Sequence, residues 1–219
     1  MKKLKLFALT AIALMSVSGV ANAETTLLAS DDFVGISFWL VSMACLAATV
    51  FFFLERGSVP ANWRVSITVA GLVTGIAFIN YMYMREAWVM TGESPIVYRY
   101  IDWFITVPLL MLEFYFVLAA LGKVNSGVFW RLLIGSVVML VGGFLGELGY
   151  INSILGFSIG MAGWIYILYE IFSGEAGKMA EKSRNKTFIN AFGAMRMIIA
   201  VGWAIYPLGY VFGYLTSGV

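Results

Sequence analysis

Three ionisable residues interrupt the apolar run from Tyr98 to Phe116: Arg99, Asp102 and Glu113. A carboxylate or guanidinium held at the depth of a bilayer costs about 3 kcal/mol or more, and such groups mark a path for ions or protons. On a helix turning about 100° per residue, Asp102 and Glu113 fall about 20° apart around the axis and roughly 16 Å apart along it. They share one face at two depths. Arg99, three residues before Asp102, is within reach of an ion pair with it. Two acids stacked this way have the geometry of a proton relay, one accepting and the other resupplying.

The elements that must hold such a run are membrane helices. Apolar residues make up 61% of the chain and charged residues 12%, far from the balance of a soluble domain. Six segments are long enough to span hydrocarbon, which takes about 20 residues each. They run over Val34–Leu54, Val65–Met84, Tyr98–Leu121, Leu132–Gly146, Ile151–Phe172 and Phe188–Leu215. Charged or turn-rich connectors separate them. The expected fold class is an all-α membrane bundle, with no soluble domain and no internal repeat.

Residues 1–23 read as a signal peptide: Lys2, Lys3 and Lys5, an apolar stretch from Leu6 to Val17, then the cleavage-type triplet Ala21-Asn22-Ala23. The mature domain is expected over 24–219, in a bacterial inner membrane, multi-pass, with its N-terminus periplasmic. Basic residues agree. Arg56 and Arg64, then Lys123 and Arg131, then Lys178, Lys182, Arg184 and Lys186 fall in alternate connectors, against Arg85 in the others. The rich set faces the cytoplasm. Asp102 then lies nearer the exterior and Glu113 nearer the cytoplasm. Lys and Arg exceed Asp and Glu by only 14 to 12, and loop placement explains the excess, so no nucleic-acid partner is expected.

Histidine is absent from the sequence. That removes HExxH zinc sites, Ser-His-Asp triads and histidine proton switches, and neither an enzyme nor a metal site is expected. Gly156-Phe157-Ser158-Ile159-Gly160 matches the GxSxG nucleophile pattern, but within a membrane helix it reads as close packing through Gly156 and Gly160. Cys45 reads as a small apolar core residue. Glu147 and Glu170 stand at span ends, where a solvated, interfacial role is expected. Arg196 is expected to snorkel to the cytoplasmic surface. Asn185-Lys186-Thr187, a glycosylation-type triplet, falls in a cytoplasmic connector and reads as chance. Pro108 frees a backbone carbonyl and bends the third helix.

Trp103, Trp164, Trp203 and Tyr206 fit bundle packing or interface anchoring. They also fall inside spans, Trp103 beside Asp102 and Trp203 with Tyr206 and Pro207, as in a kinked helix lining a cavity. An elongated apolar ligand beside Asp102 suits that lining.

The runs Arg99-Tyr100-Ile101-Asp102-Trp103, Thr106-Val107-Pro108-Leu109-Leu110 and Glu113-Phe114-Tyr115 resemble the third helix of the microbial rhodopsins, nearest to the proteorhodopsin group of light-driven proton pumps. Ser37–Val41, Gly71–Phe78, Trp164–Glu170 and Gly202–Pro207 agree, so the resemblance spans the mature chain. It implies a seven-helix bundle around all-trans retinal. It also implies that Asp102 is counterion and proton acceptor, Glu113 proton donor to the Schiff base, and Arg99 a residue that helps hold the acceptor charged. Trp103, Thr106, Trp164, Trp203, Tyr206 and Pro207 would line the retinal pocket. Leu110 falls at the colour-tuning position, where leucine accompanies green absorption and glutamine blue. Self-association into a homo-oligomer is expected with it.

Two departures stand out. The family holds retinal through a lysine in the seventh helix, whereas every lysine here lies in the signal segment or a connector, so no Schiff-base lysine is found. The sequence reads as one that stops before that helix; a natural six-helix chain is the alternative. The second departure is Asn80, where relatives usually have a histidine contacting the acceptor. Asparagine hydrogen-bonds but carries no charge. The expected function is a light-driven outward proton pump. A sensory rhodopsin is the next reading, and a retinal-free scaffold or channel follows if the chain ends naturally at Val219.

Overall fold

The computed structural model describes residues 28–216, so the expected signal peptide lies outside the described residues. Among the described residues six helical spans are long and apolar enough to cross a membrane. The first is α1 (Phe33–Glu55). The second is α2 (Arg64–Thr91), led in by a 3-10 turn at Ala61–Trp63. Next come α3 (Ile96–Ala119), α4 (Ser126–Glu147) and α5 (Ser153–Phe172). A short α6 (Glu175–Glu181) follows in the connector. The sixth span is composite: α7 (Lys186–Met197), a π-helical turn at Ile198–Gly202, α8 (Ile205–Tyr210) and a second π turn at Val211–Leu215.

Charge placement misleads at two boundaries. The fourth span was expected from Leu132 but begins at Ser126, capped by Asn125, whose side chain accepts the Gly127 N–H at 2.9 Å. Arg131 does not end this helix because it has carboxylate partners, described below. The second span runs past Met84 through Arg85 and Glu86 to Thr91. It stops where Gly92 takes a left-handed φ of 68° and donates its N–H to the Trp88 carbonyl.

Apolar side chains gain little by leaving lipid for a protein interface, so close backbone approach must hold membrane helices together. The α4–α5 pair achieves it with glycine. A Cβ on Gly156 would stand 2.5 Å from the Gly146 Cα, and one on Gly163 would stand 2.6 Å from the Met139 nitrogen. The reading of Gly156 and Gly160 as packing residues therefore holds, with Gly135, Gly142 and Gly146 supplying the opposing surface. Towards the other end of α3, Met111, Phe114, Val117 and Leu118 are buried with Leu132, Ile167, Ile171, Phe188 and Phe192. This end is well filled. The opposite half of the bundle is hollow.

Candidate functional site

Asp102 is buried at 4% exposure on α3, and its side chain turns towards α2. The Asn80 amide donates to Asp102 Oδ1 at 3.5 Å and to the Ile76 carbonyl at 3.1 Å. One turn further on, the Thr106 hydroxyl donates to the Asp102 carbonyl at 2.9 Å. Glu113 turns to the same neighbouring helix. The Ser66 hydroxyl of α2 donates to Glu113 Oε1, while Glu113 Oε2 is buried with no partner. Both acids of the predicted pair therefore face α2, Glu113 near its start at Ser66 and Asp102 farther along it at Asn80.

Asp102 opens onto a cavity of about 800 Å3. Trp103, Thr106, Trp164, Trp203, Tyr206 and Pro207 all line it, and so does Leu110. Glu113 and Asn80 lie outside this lining. The rings interlock: Tyr206 stands edge-on to Trp103 at 5.1 Å, and Tyr100 does so at 5.2 Å. Trp164 is fixed by its indole N–H, which donates to the Ile199 carbonyl at 3.2 Å.

That last contact depends on the broken sixth span. In the π turn the Trp203 N–H reaches back to the Ile198 carbonyl at 3.0 Å, which widens the helix and leaves the Ile199 carbonyl for Trp164. Pro207 has no N–H for the Trp203 carbonyl, and the Tyr206 N–H takes it at 3.1 Å. The helix is interrupted here, and Trp203 and Tyr206 line the cavity.

Three sequence expectations are corrected. Arg99 does not pair with Asp102; its guanidinium donates to Glu147 Oε1 at 2.5 Å and lies 5.5 Å over the Trp103 ring. Helical side chains lean towards their own N-terminus, which carries Arg99 away from Asp102 and towards the end of α4. Glu147 is not a solvated end residue: its side chain is 7% exposed and also accepts the Tyr214 hydroxyl at 2.7 Å. Glu170 is 3% exposed, holding Arg131 at 2.8 Å. Nor does Arg196 snorkel. Its side chain, 14% exposed, lies between Phe172 and Phe192, and it donates to the Gly177 carbonyl at 3.2 Å.

Sequence reasoning missed Ser66, and it gave Glu147 and Tyr214 no part in the site. A serine in an apolar span carries little signal by itself, and the Glu147 contacts join residues far apart in the chain. Among the described residues no cluster of His, Cys, Asp and Glu could hold a metal ion. The cavity fits an elongated apolar ligand on three counts: its aromatic lining, its volume and the few charged groups at its wall, Asp102 and the paired Arg99 and Glu147. No lysine lines it.

Comparison with known proteins gives concordant results. A profile described as "Bacteriorhodopsin-like protein" matches residues 32–219. The blue-light absorbing proteorhodopsin of Gamma-proteobacterium Hot 75m4 is 52% identical over 218 residues, covering 100% of this chain and 85% of the relative. The green-light absorbing proteorhodopsin of Gamma-proteobacterium EBAC31A08 is 53% identical over 188 residues, covering 86% of this chain and 75% of the relative. The crystal structure of the blue light-absorbing proteorhodopsin from Med12 superposes with a TM-score of 0.70 at 51% identity, covering 86% of this chain and 84% of that one.

Proposed function

This chain belongs to the bacteriorhodopsin-like family, and on that premise we propose that it is a light-driven proton pump moving protons outward across a bacterial membrane. One observation carries the reading. Asp102 stands at the wall of an aromatic cavity, and Glu113 lies farther along the same helix, with both acids turned to α2. A sensor needs an acceptor beside its chromophore but has little use for a second acid poised to resupply protons.

All-trans retinal, when bound in the cavity, supplies the absorption of light and a site whose proton affinity changes on illumination. Trp103, Trp164, Trp203 and Tyr206 clasp an elongated polyene and exclude water from it. Asp102 is the proton acceptor: it lines the cavity, and the Asn80 amide steadies its Oδ1 without adding a charge. Glu113 is the donor, storing a proton on its buried carboxyl with Ser66 as its hydroxyl partner. Arg99 and Glu147 act beyond Asp102, closing the outer end as an ion pair that Tyr214 completes. Leu110 lies in the cavity wall and, by the resemblance, goes with green absorption, whereas overall identity leaves the colour open because the green- and blue-absorbing relatives match almost equally. Covalent attachment of the chromophore is assigned to no residue of this sequence.

Cells supplied with all-trans retinal and expressing this chain joined to a seventh helix that carries the retinal-binding lysine test the reading, and that joined chain is the pigmented protein. Illumination should acidify the medium, a protonophore should abolish the change, and Asp102→Asn should remove it while visible absorption persists. A pigmented wild type that leaves the external pH unchanged, or raises it, excludes an outward pump.

A further inference from the structure

Helix α6 is too short to span anything, yet it is one of the most firmly held pieces of the connector. Ala176 and Ala180 are buried in one cluster with Phe114, Val117 and Leu118, the residues of α3 that follow Glu113. Two cations from different spans pin it. Arg131 of α4 binds Glu175 at 2.7 Å and the buried Glu170 at 2.8 Å. Arg196 of α7 donates to the Gly177 carbonyl at 3.2 Å with its guanidinium between two phenylalanine rings. Glu170 adds a third tie, accepting the Ala176 N–H at 3.0 Å.

The backbone leaves no slack. A Cβ on Gly177 would stand 2.4 Å from the Phe172 carbonyl oxygen, and one on Gly174 would stand 2.6 Å from Glu170 Oε2. Beside this seat lies a hollow of about 240 Å3, lined by Leu118, Leu121, Gly122, Met179, Lys182 and Ser183. Leu118 belongs both to that hollow and to the cluster that α6 completes. It follows Glu113 by about 7.5 Å along the helix axis. The hollow lies at the basic end of the bundle and reaches, at Leu118, the apolar cluster that α6 completes, in which Val117 covers the turn after Glu113.

We propose that α6 is a plug that seals Glu113 from the cytoplasmic solvent, pinned by Arg131 and Arg196, and that its unseating sets how fast Glu113 regains a proton. The second clause rests on the pump reading above; the seal does not. The buried, unpartnered Oε2 of Glu113 is what a sealed donor requires: a carboxyl that holds its proton until water reaches it. An apolar cover does this well because it admits no competing hydrogen-bond partner.

Hydrogen–deuterium exchange on the protein in lipid nanodiscs tests the seal without light or chromophore. Glu175→Gln removes one partly exposed ion pair and leaves Arg131 with Glu170, so exchange in 175–181 and in 116–121 should rise about threefold. Gly177→Ala unseats α6 sterically, with no change of charge, and should raise exchange in the same two segments further. Glu86→Gln, on the exposed outer stretch of α2, should change neither segment. In the pigmented protein, decay of the state lacking the Glu113 proton should be faster in both α6 variants. Unchanged exchange in both variants overturns the plug, as does an α6 that opens while 116–121 stays protected. An unaltered decay in variants whose α6 has opened overturns its control of the donor. A wild type that does not pump overturns the function instead, and the exchange result still decides the seal.

Discussion

Replacing Glu113 by Gln keeps the length of the side chain and a partner for Ser66 but removes the proton it is proposed to store. The first proton transfer, to Asp102, should be untouched, while recovery slows about a hundredfold, the scale of a lost general acid. Ser66→Ala should slow recovery in the same direction by about tenfold, because it removes the hydrogen bond that stabilises the Glu113 carboxylate once its proton has been given up. Flash photolysis checks both, and equal rates in S66A and wild type would remove Ser66 from the site. At the colour-tuning position, Leu110→Gln should move the absorption maximum to shorter wavelength. Asp102, Glu113 and the cavity aromatics could be named from spacing and resemblance, because each is chemically conspicuous in an apolar run. Ser66 could not, because its meaning comes wholly from the carboxyl across the helix interface.

At the scale of elements, the α4–α5 crossing gives a sharp contrast between two glycines. Gly163→Ala sets a methyl 2.6 Å from a backbone nitrogen that cannot swing aside, and should destabilise by about 1–3 kcal/mol. Gly213→Ala meets nothing within 4 Å and should be close to neutral. Thermal unfolding in detergent distinguishes them; a neutral G163A would mean that the two helices can part without loss. Of the elements, the six spans were legible because hydropathy alone marks a membrane helix. Their ends were less so. Arg131 and Arg85 looked like terminators, yet Arg131 is neutralised by Glu170 and Glu175 and Arg85 lies 5.0 Å over the Trp39 ring. Arg99 misled for a related reason: sequence separation predicted a local partner, and the side chain found a better one at the far end of α4. The π turns left no mark in the sequence beyond Pro207, since nothing in Ile198–Gly202 is an unusual helix residue.

The whole molecule is polarised by where its cations sit. The Lys- and Arg-rich connectors lie at one end of the bundle, with α6, Glu113 and the filled core; Asp102, the cavity and the Arg99–Glu147 pair lie towards the other. If the basic end faces the cytoplasm, the open half faces outward and vectorial transport needs no change of topology. Lys182→Cys, in the connector after α6, should then react with a membrane-impermeant maleimide only in inside-out vesicles. Reaction in intact cells would reverse the direction assigned to the pump while leaving the relay in place.

The relay itself is tested most directly by time-resolved infrared difference spectroscopy of the pigmented protein, following the two carboxyl C=O stretches after a flash. The account requires a band from Asp102 to appear first, as it takes a proton, and a band from Glu113 to bleach later and recover last. Asp102→Asn should erase the first and Glu113→Gln the second. Bleaching of Glu113 before any Asp102 signal, or a complete cycle in which neither carboxyl changes protonation, would contradict it.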